Sequence, residues 1–260
     1  MIYKKWLLKL VGSKELFPWS FWLYRQAKTL AFGNLWNFKN NGELEAIDWV
    51  ANQHPIRTFF DVGANTGHYF QSVLPLVKNE LQEAHLFEPS PEVFAQLSSV
   101  NSSALTIRFN QLALGVEEIE EAIFFKNPNH VYSGFYSSHM SDSTEIAVKM
   151  TTLDRYTADH GIAQIDFLKI DVEGHELDVL RGAKKLLETR KIKVIQFEFG
   201  VNNISSRTYF MDFFDLLSQQ FDLYLIQRGG CIPILDYSVD FEVFGKVSNF
   251  LAVQKELFQR

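Results

Sequence analysis

Carboxylates and one histidine are concentrated where two predicted strands end. Asp171, Glu173 and His175 follow the apolar run at residues 166–170, and Glu198 ends a second run at residues 195–198. Carboxylates and imidazoles can take a proton from a hydroxyl group, so these four residues are candidate general bases. Asp171 and Glu198 could instead hold a divalent cation through oxygen ligands. We treat the cation as the less favoured alternative and predict no dedicated metal site.

The same residues have a plainer, structural interpretation. Asp171 and Glu173 would then cap the helix that follows them, and His175 would be a surface or capping residue. Strand periodicity places Lys169 on the same face as Asp171. A lysine inside an apolar strand is costly unless it is paired, so Lys169 is expected to have an acidic partner.

A turn rich in glycine, here called the glycine turn, occupies residues 61–67 with the sequence DVGANTG. Glycines let the backbone approach a ligand closely, and ligands of α/β sheets bind beyond the carboxyl ends of the strands. The dinucleotide fingerprint would require glycine where Asn65 and His68 stand, so a nicotinamide or flavin cofactor is disfavoured. The spacing suits a ligand that brings no pyrophosphate to the turn, such as an amino acid joined to adenosine.

Glu88 ends the second predicted strand and lies twenty-one residues after Gly67. A carboxylate at this place can accept hydrogen bonds from both hydroxyls of a ribose. Taken alone, Glu88 could equally be a solvated loop residue, and the glycine turn could be an ordinary tight connection. Their joint placement favours a nucleoside site.

Strand-like runs alternate with helix-like segments from residue 56 onward, which predicts a parallel sheet covered on both faces. The predicted strands are residues 57–62, 84–87, 105–109, 123–125, 147–153, 166–171 and 193–199. The predicted helices are residues 67–78, 91–100, 176–188 and 206–219, with a short helix that ends near residue 160. Ser90 and Pro91 are expected to open the second helix. Residues 221–227 and 249–253 have no helix between them, so we expect an antiparallel hairpin at one edge.

Composition excludes several classes of protein. Apolar residues make up 47% of the chain and charged residues 22%, so neither a disordered nor a fibrous protein fits. The longest run without Asp, Glu, Lys or Arg, residues 62–77, has 16 residues, several of them polar, and is shorter than the roughly 20 apolar residues of a membrane span. Lys9 interrupts the apolar stretch that a secretory signal would need. The single cysteine, Cys231, can form no internal disulfide or thiolate zinc site, and we expect a cytoplasmic protein.

The net charge of −6 is unevenly distributed along the chain. The first 40 residues hold seven basic side chains against one acidic side chain, which leaves a net charge of −12 for the remaining residues. An acidic body argues against a general nucleic-acid binder. Four of the five tryptophans also lie in the basic segment. We therefore predict an extension at residues 1–50 and a separate domain at residues 51–260.

Six motifs, in this order along the chain, resemble the FkbM family of S-adenosylmethionine-dependent methyltransferases. They are DVGANTG at residues 61–67, FEP at 87–89, TLD at 152–154, KIDVEGHE at 169–176, VLRGA at 179–183 and FEF at 197–199. The resemblance runs from about residue 58 to residue 253 and does not cover residues 1–50. It implies an α/β, Rossmann-like class I fold. Its sheet would have seven, mostly parallel strands with helices on both faces and an antiparallel C-terminal edge hairpin.

The resemblance also implies a cofactor, S-adenosylmethionine, and a reaction. The residues that would hold the cofactor are Asp61, Gly63, Ala64, Asn65, Gly67, Glu88, Asn110 and Ala113. The family commonly methylates hydroxyl groups of sugars and of glycosylated natural products, and the candidate bases named above would accept the proton. A protein that keeps the fold but has lost the chemistry is the alternative, and release of S-adenosylhomocysteine would distinguish the two.

The N-terminal segment lies outside the resemblance. Trp6, Leu7 and Leu10 fall near one face at helical spacing, and residues 17–24 add further aromatic side chains. We predict a helical cover, packed on the sheet domain or across a homodimer interface. The alternatives are a lid over a sugar acceptor and peripheral docking of residues 1–40 on an anionic membrane.

Overall fold

The computed structural model describes residues 12–32, 38–99, 105–128, 133–136, 143–244 and 247–258. The strands are β1 Thr58–Val62, β2 Glu83–Phe87, β3 Thr106–Asn110, β4 Ala113–Leu114, β5 Ile119–Lys126, β6 Thr144–Thr151, β7 Ile165–Ile170, β8 Ile192–Gly200, β9 Phe221–Gln227, β10 Gly230–Ile234 and β11 Val247–Gln254. The helices are α1 Phe17–Phe32, α2 Glu43–Ala51, α3 His68–Val77, α4 Pro91–Leu97, α5 Leu153–Asp159, α6 Glu176–Arg181, α7 Lys184–Glu188, α8 Asn203–Ser206 and α9 Phe210–Leu217.

An eight-stranded sheet has the order β10-β9-β11-β8-β7-β1-β2-β3. The strands from β3 to β8 in this order are parallel, and the three C-terminal strands pair antiparallel. The predicted Rossmann-like class I fold is confirmed, with eight strands in place of seven. After β3 the chain returns to the other side of β1, so the strand order reverses between β1 and β7. Ligands of open α/β sheets bind at such a reversal.

The antiparallel edge is a hairpin of β9 and β10, and β11 lies inside the sheet. Strand β11 pairs with both β8 and β9, and each of its residues is buried. The sequence prediction missed β10 because it treated the region after Gly229 as a loop. The turn between β9 and β10 has two residues, Arg228 and Gly229, and Gly229 takes the positive φ that such a tight turn needs.

Both faces of the sheet are covered. Phe59 and Phe60 are neighbours in β1, are fully buried, and point to opposite faces because side chains alternate along a strand. Phe59 packs in a cluster with residues of α2, α3 and α4. Phe60 packs in a second cluster with residues of α5, α6, α7 and α9. Because both faces of these strands are buried, most of their residues are apolar and the usual alternation of polar and apolar residues is absent.

Two predicted helices are interrupted in the structure. Residues 176–188 form α6 and α7, which are separated at Gly182, where an added Cβ would lie 2.0 Å from the carbonyl oxygen of Gly115. The Asp154 carboxylate accepts hydrogen bonds from the backbone N–H groups of Lys185 and Leu186 at 2.8 and 3.0 Å and so begins α7. Residues 206–219 likewise divide between α8 and α9.

Helix α2 belongs to the packing of the sheet. It buries Ala46, Ile47 and Val50 in the same cluster as Phe59 of β1. The predicted boundary between residues 50 and 51 falls inside this helix. The division of the chain at that point stays a prediction.

Helix α1 is exposed along its length, with no buried residue. Trp19 is 63% exposed and Trp22 is 56% exposed. Its C-terminal end contacts the sheet domain, where the Phe32 ring packs edge-on against Phe241 and the Phe32 carbonyl accepts a hydrogen bond from Ser248. The predicted cover is therefore not seen in α1. Trp6, Leu7, Leu10 and Trp36 lie outside the described residues, and the lid, the membrane contact and the homodimer stay predictions.

Within the described ranges, no helix combines the length and the apolar character needed to cross a bilayer.

Candidate active site

A cavity of about 420 Å³ opens at the carboxyl ends of β1, β2, β7 and β8, where the strand order reverses. This volume is typical of small-molecule sites. Eight of the predicted site residues line it: Gly63, Ala64, Asn65, Glu88, Ala113, Asp171, Glu173 and Glu198. Four others do not line it: Asp61, Gly67, Asn110 and His175. The structure thus joins the glycine turn, Glu88 and three candidate bases in one site.

Gly63 of the glycine turn is required by the protein's own packing. Its φ is +84°, and an added Cβ would lie 1.8 Å from the backbone oxygen of Asp171. The N–H groups of Gly63 and Ala64 both donate to the Phe87 carbonyl, at 3.0 and 2.9 Å. Gly67 has a φ of +80° and directly precedes α3. The turn therefore fixes β1, β2 and the loop after β7 to one another, in addition to lining the cavity.

Substituting Gly63 is expected to reduce the stability of the fold itself. Gly63→Ala should lower the free energy of unfolding by about 2 kcal/mol or more, because the Cβ meets the Asp171 backbone in a left-handed conformation. Gly229→Ala is the matched control, since its φ is +88° and nothing lies within 4 Å of its added Cβ. Urea unfolding measures both variants, and equal losses would contradict the close approach at Gly63.

Asp61 ends β1 next to the turn and is fully buried. Neither of its carboxylate oxygens has a hydrogen-bond partner among the described residues. Burial, together with the nearby acids Asp171 and Glu43, raises the pKa of Asp61 to about 6, although Lys169 opposes the increase. A buried carboxylate without a partner requires a donor, which a ligand or a bridging water can supply.

Glu88 presents a buried carboxylate to the cavity and also supports the glycine turn. It accepts a hydrogen bond from the Ser90 N–H at 2.9 Å and another from the backbone of Asn65. Burial raises the pKa of Glu88 to about 7 in spite of these bonds. Ser90 and Pro91 open α4 as predicted, although the Ser90 side chain makes no capping hydrogen bond.

One wall of the cavity is apolar. A small three-stranded sheet of β4, β6 and β5 contributes Ala113, Leu114 and Phe124 to this wall, and Phe87 of β2 and Val93 of α4 complete it. Such a wall suits a flat, apolar ring such as adenine.

The side chain of Asn110 bonds within the fold, and its predicted role in holding the cofactor stays a prediction. Its amide donates to the Leu86 carbonyl at 3.2 Å, and its oxygen accepts from the Tyr156 hydroxyl at 3.0 Å. These bonds tie the end of β3 to β2 and α5. Its neighbour along the chain, Ala113, does line the cavity.

Asp171, Glu173 and Glu198, here called the acidic cluster, have carboxylate oxygens that all lie within 4.8 Å of one another. Asp171 and Glu173 stand in the loop after β7, and Glu198 stands near the end of β8. Glu173 has a positive φ of 56° and accepts a hydrogen bond from Asn202. Burial raises the pKa of Glu173 and Glu198 well above the usual range, and the neighbouring acids add to the increase.

Lys169 has the acidic partner expected from its place in an apolar strand. Its Nζ lies 2.7 Å from Oδ2 of Asp171 and 4.6 Å from the centre of the Tyr69 ring. Burial alone would lower the pKa of Lys169, but Asp171, Glu43 and Asp61 together raise it above the usual value. The buried lysine therefore stays charged and holds Asp171 at the cavity.

A buried polar network, here called the Glu43 network, lies next to Lys169 and was not predicted. The Glu43 carboxylate accepts hydrogen bonds from Asn41, Gln196 and Asn249 at 2.6, 2.7 and 3.1 Å. The Tyr69 hydroxyl donates to Gln196 at 2.9 Å. Gln196 in the apolar run of β8 and Asn249 in that of β11 could have indicated a buried polar network from the sequence. Their common partner, Glu43, lies 153 positions away from Gln196, so the sequence offered no reason to connect them.

His175 does not join the other candidate bases. It is buried against Phe135 and Tyr136, with Nδ1 3.4 Å from Asp178, and burial lowers the pKa of its ring. Glu176 closes the loop before α6 by accepting hydrogen bonds from the N–H groups of Val172 and Gly174 at 3.1 and 3.0 Å. Asp171 and Glu173 are thus not needed as caps and remain available at the cavity.

Comparison with known proteins gives related enzymes. The model of the methyltransferase FkbM domain matches residues 61–223. The hexuronic acid methyltransferase AglP of Haloferax volcanii is 24% identical over 143 residues, which are 55% of this chain and 56% of that protein. The match therefore spans only a little more than half the length of this curated relative.

Two solved structures resemble the chain more distantly. The methyltransferase FkbM from Methylobacillus flagellatus KT is 15% identical with a TM-score of 0.45, covering 75% of this chain and 43% of that one. The plantazolicin methyltransferase BpumL, solved with S-adenosylhomocysteine, is 11% identical with a TM-score of 0.43, and each chain is covered to 83%.

Proposed function

The chain belongs to the FkbM methyltransferase family, and we propose on that premise that it transfers a methyl group from S-adenosylmethionine to a hydroxyl oxygen of a sugar. One observation carries the proposal. A single cavity brings together the glycine turn, the Glu88 carboxylate and an acidic cluster that can accept a proton. A nucleoside-type cofactor and a hydroxyl acceptor can therefore be held side by side.

The cavity residues fit the cofactor by their chemistry. Glu88 offers an acceptor for ribose hydroxyls, and the wall at Ala113 and Phe124 offers apolar contact for adenine. Asp61 does not line the cavity, so its unpaired carboxylate would reach an ammonium group through a bridging water. When bound, S-adenosylmethionine supplies a methyl group activated on a sulfonium. The protein contributes binding and orientation on this side of the cavity.

The acidic cluster would act on the acceptor side. An alcohol oxygen must lose its proton as the oxygen–carbon bond forms and the carbon–sulfur bond breaks, and a carboxylate of the cluster takes that proton. Lys169 holds Asp171 in position through their 2.7 Å ion pair. The raised pKa values of Glu173 and Glu198 make them stronger bases than ordinary carboxylates once they are ionised.

The relative AglP supports a sugar acceptor, because its described substrate is a hexuronic acid. The test is to incubate the protein with S-adenosylmethionine and a panel of monosaccharide glycosides, and to measure S-adenosylhomocysteine by mass spectrometry. Release that depends on a sugar, with a matching gain of one methyl group on that sugar, is the expected result. Cofactor binding without acceptor-dependent release would contradict the proposal and favour a binding protein.

Cofactor affinity is expected to depend on pH through Glu88. Its pKa is about 7 in the free protein, and a carboxylate that accepts ribose hydrogen bonds must be ionised, so binding releases a proton below that pH. Affinity for S-adenosylhomocysteine should fall as pH drops from 8 to 6, by up to about tenfold per unit at the acidic end. Calorimetry on the wild type and on Glu88→Gln tests this, since the variant should bind more weakly and lose that pH dependence. If Glu88→Gln kept the wild-type pH dependence, a group other than Glu88 would be its cause.

A further inference from the structure

Most of the ionisable side chains that line the cavity are acidic. Five lining residues are acidic: Glu43, Glu88, Asp171, Glu173 and Glu198. Among the lining residues within the described ranges, Lys169 is the only lysine or arginine. His68 also lines the cavity, but its side chain is exposed at the start of α3. S-adenosylmethionine carries a net charge of +1. With the cofactor bound, the five acidic lining residues still outnumber the two cations, Lys169 and the cofactor.

Lys169 is not available to bind an anionic substrate. Its ammonium group is buried, pairs with Asp171 at 2.7 Å and lies over the Tyr69 ring. An incoming carboxylate would have to displace Asp171 or approach the acidic cluster without a cation of its own. Either arrangement is unfavourable in a buried site, where opposite charges are needed to offset desolvation.

The polar groups of the acceptor side suit hydroxyl donors. Carboxylates accept hydrogen bonds and cannot donate them when ionised, so the acidic cluster pairs naturally with sugar hydroxyls. Asn202 lines the cavity next to the cluster, but its amide already donates to Glu173. A carboxylate on the sugar would instead bring a further negative charge to the acidic cluster, with no unpaired lysine or arginine among the described lining residues to offset it.

We infer that the acceptor is an uncharged sugar and that the acidic cluster discriminates against anionic sugars. This inference rests on the proposed function and narrows it. It also separates this chain from AglP, whose described substrate is a hexuronic acid. Repulsion of the wrong substrate would thus supply part of the specificity.

The test compares sugars that differ only at one carbon. Methyl glycosides of glucose, galactose and mannose are each matched with the corresponding uronic acid, so every pair shares its ring configuration. Affinity is measured by calorimetry in the presence of saturating S-adenosylhomocysteine, and methyl transfer is measured in parallel with S-adenosylmethionine. For the best-bound ring configuration, the neutral sugar should bind at least about tenfold more tightly than its uronate. Equal or tighter binding of the uronate would overturn the inference.

A variant of the cluster links the discrimination to its charge. Glu198→Gln keeps the shape of the side chain and removes one group of the cluster that can become negatively charged, so the ratio of neutral to anionic affinity should fall severalfold. Glu188→Gln is the control, because it makes the same change on the exposed surface at the end of α7. Thermal unfolding shows that both variants are folded. If Glu198→Gln leaves the ratio of neutral to anionic affinity unchanged, the acidic cluster is not the cause of the discrimination.

The binding measurement also separates this inference from the proposed function. Preferred binding of the neutral sugar without any methyl transfer would leave the charge preference in place and refute the activity. Methyl transfer with a preference for the uronate would support the activity and refute the charge preference.

Discussion

Asp171→Asn is expected to lower the turnover of methyl transfer at least about a hundredfold while cofactor affinity stays near that of the wild type. Asp171 lines the cavity, belongs to the acidic cluster and is held by Lys169. Asparagine keeps the size of the side chain but cannot accept a proton at neutral pH. Turnover is measured with the best acceptor sugar, and affinity for S-adenosylhomocysteine is measured by calorimetry.

The control for Asp171 is Asp178→Asn. Asp178 lies nearby in α6 but is not among the lining residues, and it bonds to Tyr136 and Arg181. Its amide variant should turn over within a few-fold of the wild type. Assays in EDTA add a second comparison, because only a role as a metal ligand makes the wild-type activity sensitive to the chelator. Full activity in Asp171→Asn would leave the residue with a structural role alone.

Lys169→Met is expected to reduce the free energy of unfolding by about 3–5 kcal/mol. The substitution preserves the apolar stem but removes the only cation within reach of three described acids, Glu43, Asp61 and Asp171. Glu43 and Asp61 would then lie buried without an opposite charge. Urea unfolding at pH 7 measures the loss, and a loss below about 1 kcal/mol would contradict the proposed electrostatic role of the lysine.

The control for Lys169 is Lys149→Met, which removes an exposed ion pair with Glu120 of 3.0 Å. A loss of less than about 1 kcal/mol is expected there. The cost of Lys169→Met should also shrink as the pH is lowered toward 5. Glu43 and Asp61 have raised pKa values, so they bind protons as the pH falls and no longer need the lysine. If the loss in the free energy of unfolding caused by Lys169→Met were the same at pH 7 and pH 5, the unpaired acids would not be its cause.

The class of fold could be read from the sequence because its signals are local. The run from Phe59 to Val62, the positive-φ glycines at 63 and 67 and the apolar strand around Lys169 each specify their own element. Local patterns also predicted that Lys169 would be paired. The break at Gly182 was missed because its cause is a contact with Gly115, which lies on a distant part of the chain.

The sequence predicted the site residues that stand at the ends of parallel strands. It did not predict which hydrogen-bond or packing partner each side chain has. Glu88 and the acidic cluster line the cavity because parallel strands end at one edge. Asn110 and His175 also stand near strand ends, but their side chains do not line the cavity. Asn110 accepts a hydrogen bond from Tyr156, and His175 packs against Phe135. Glu43 was missed because its partners Gln196 and Asn249 come from strands that the sequence gives no reason to connect with α2.

The interior position of β11 makes the order of synthesis important for folding. A ribosome delivers the glycine turn and Glu88 long before it delivers Asn249, the β11 residue that bonds to Glu43. Until residue 247 emerges, β8 and β9 each expose an unpaired edge where β11 will later bind. Unpaired strand edges can pair with other chains, so we expect a nascent or truncated polypeptide of this protein to be prone to aggregation at that stage. Completion of the Glu43 network therefore waits for β11, and chains stalled before residue 249 should lack the Asn249 bond to Glu43.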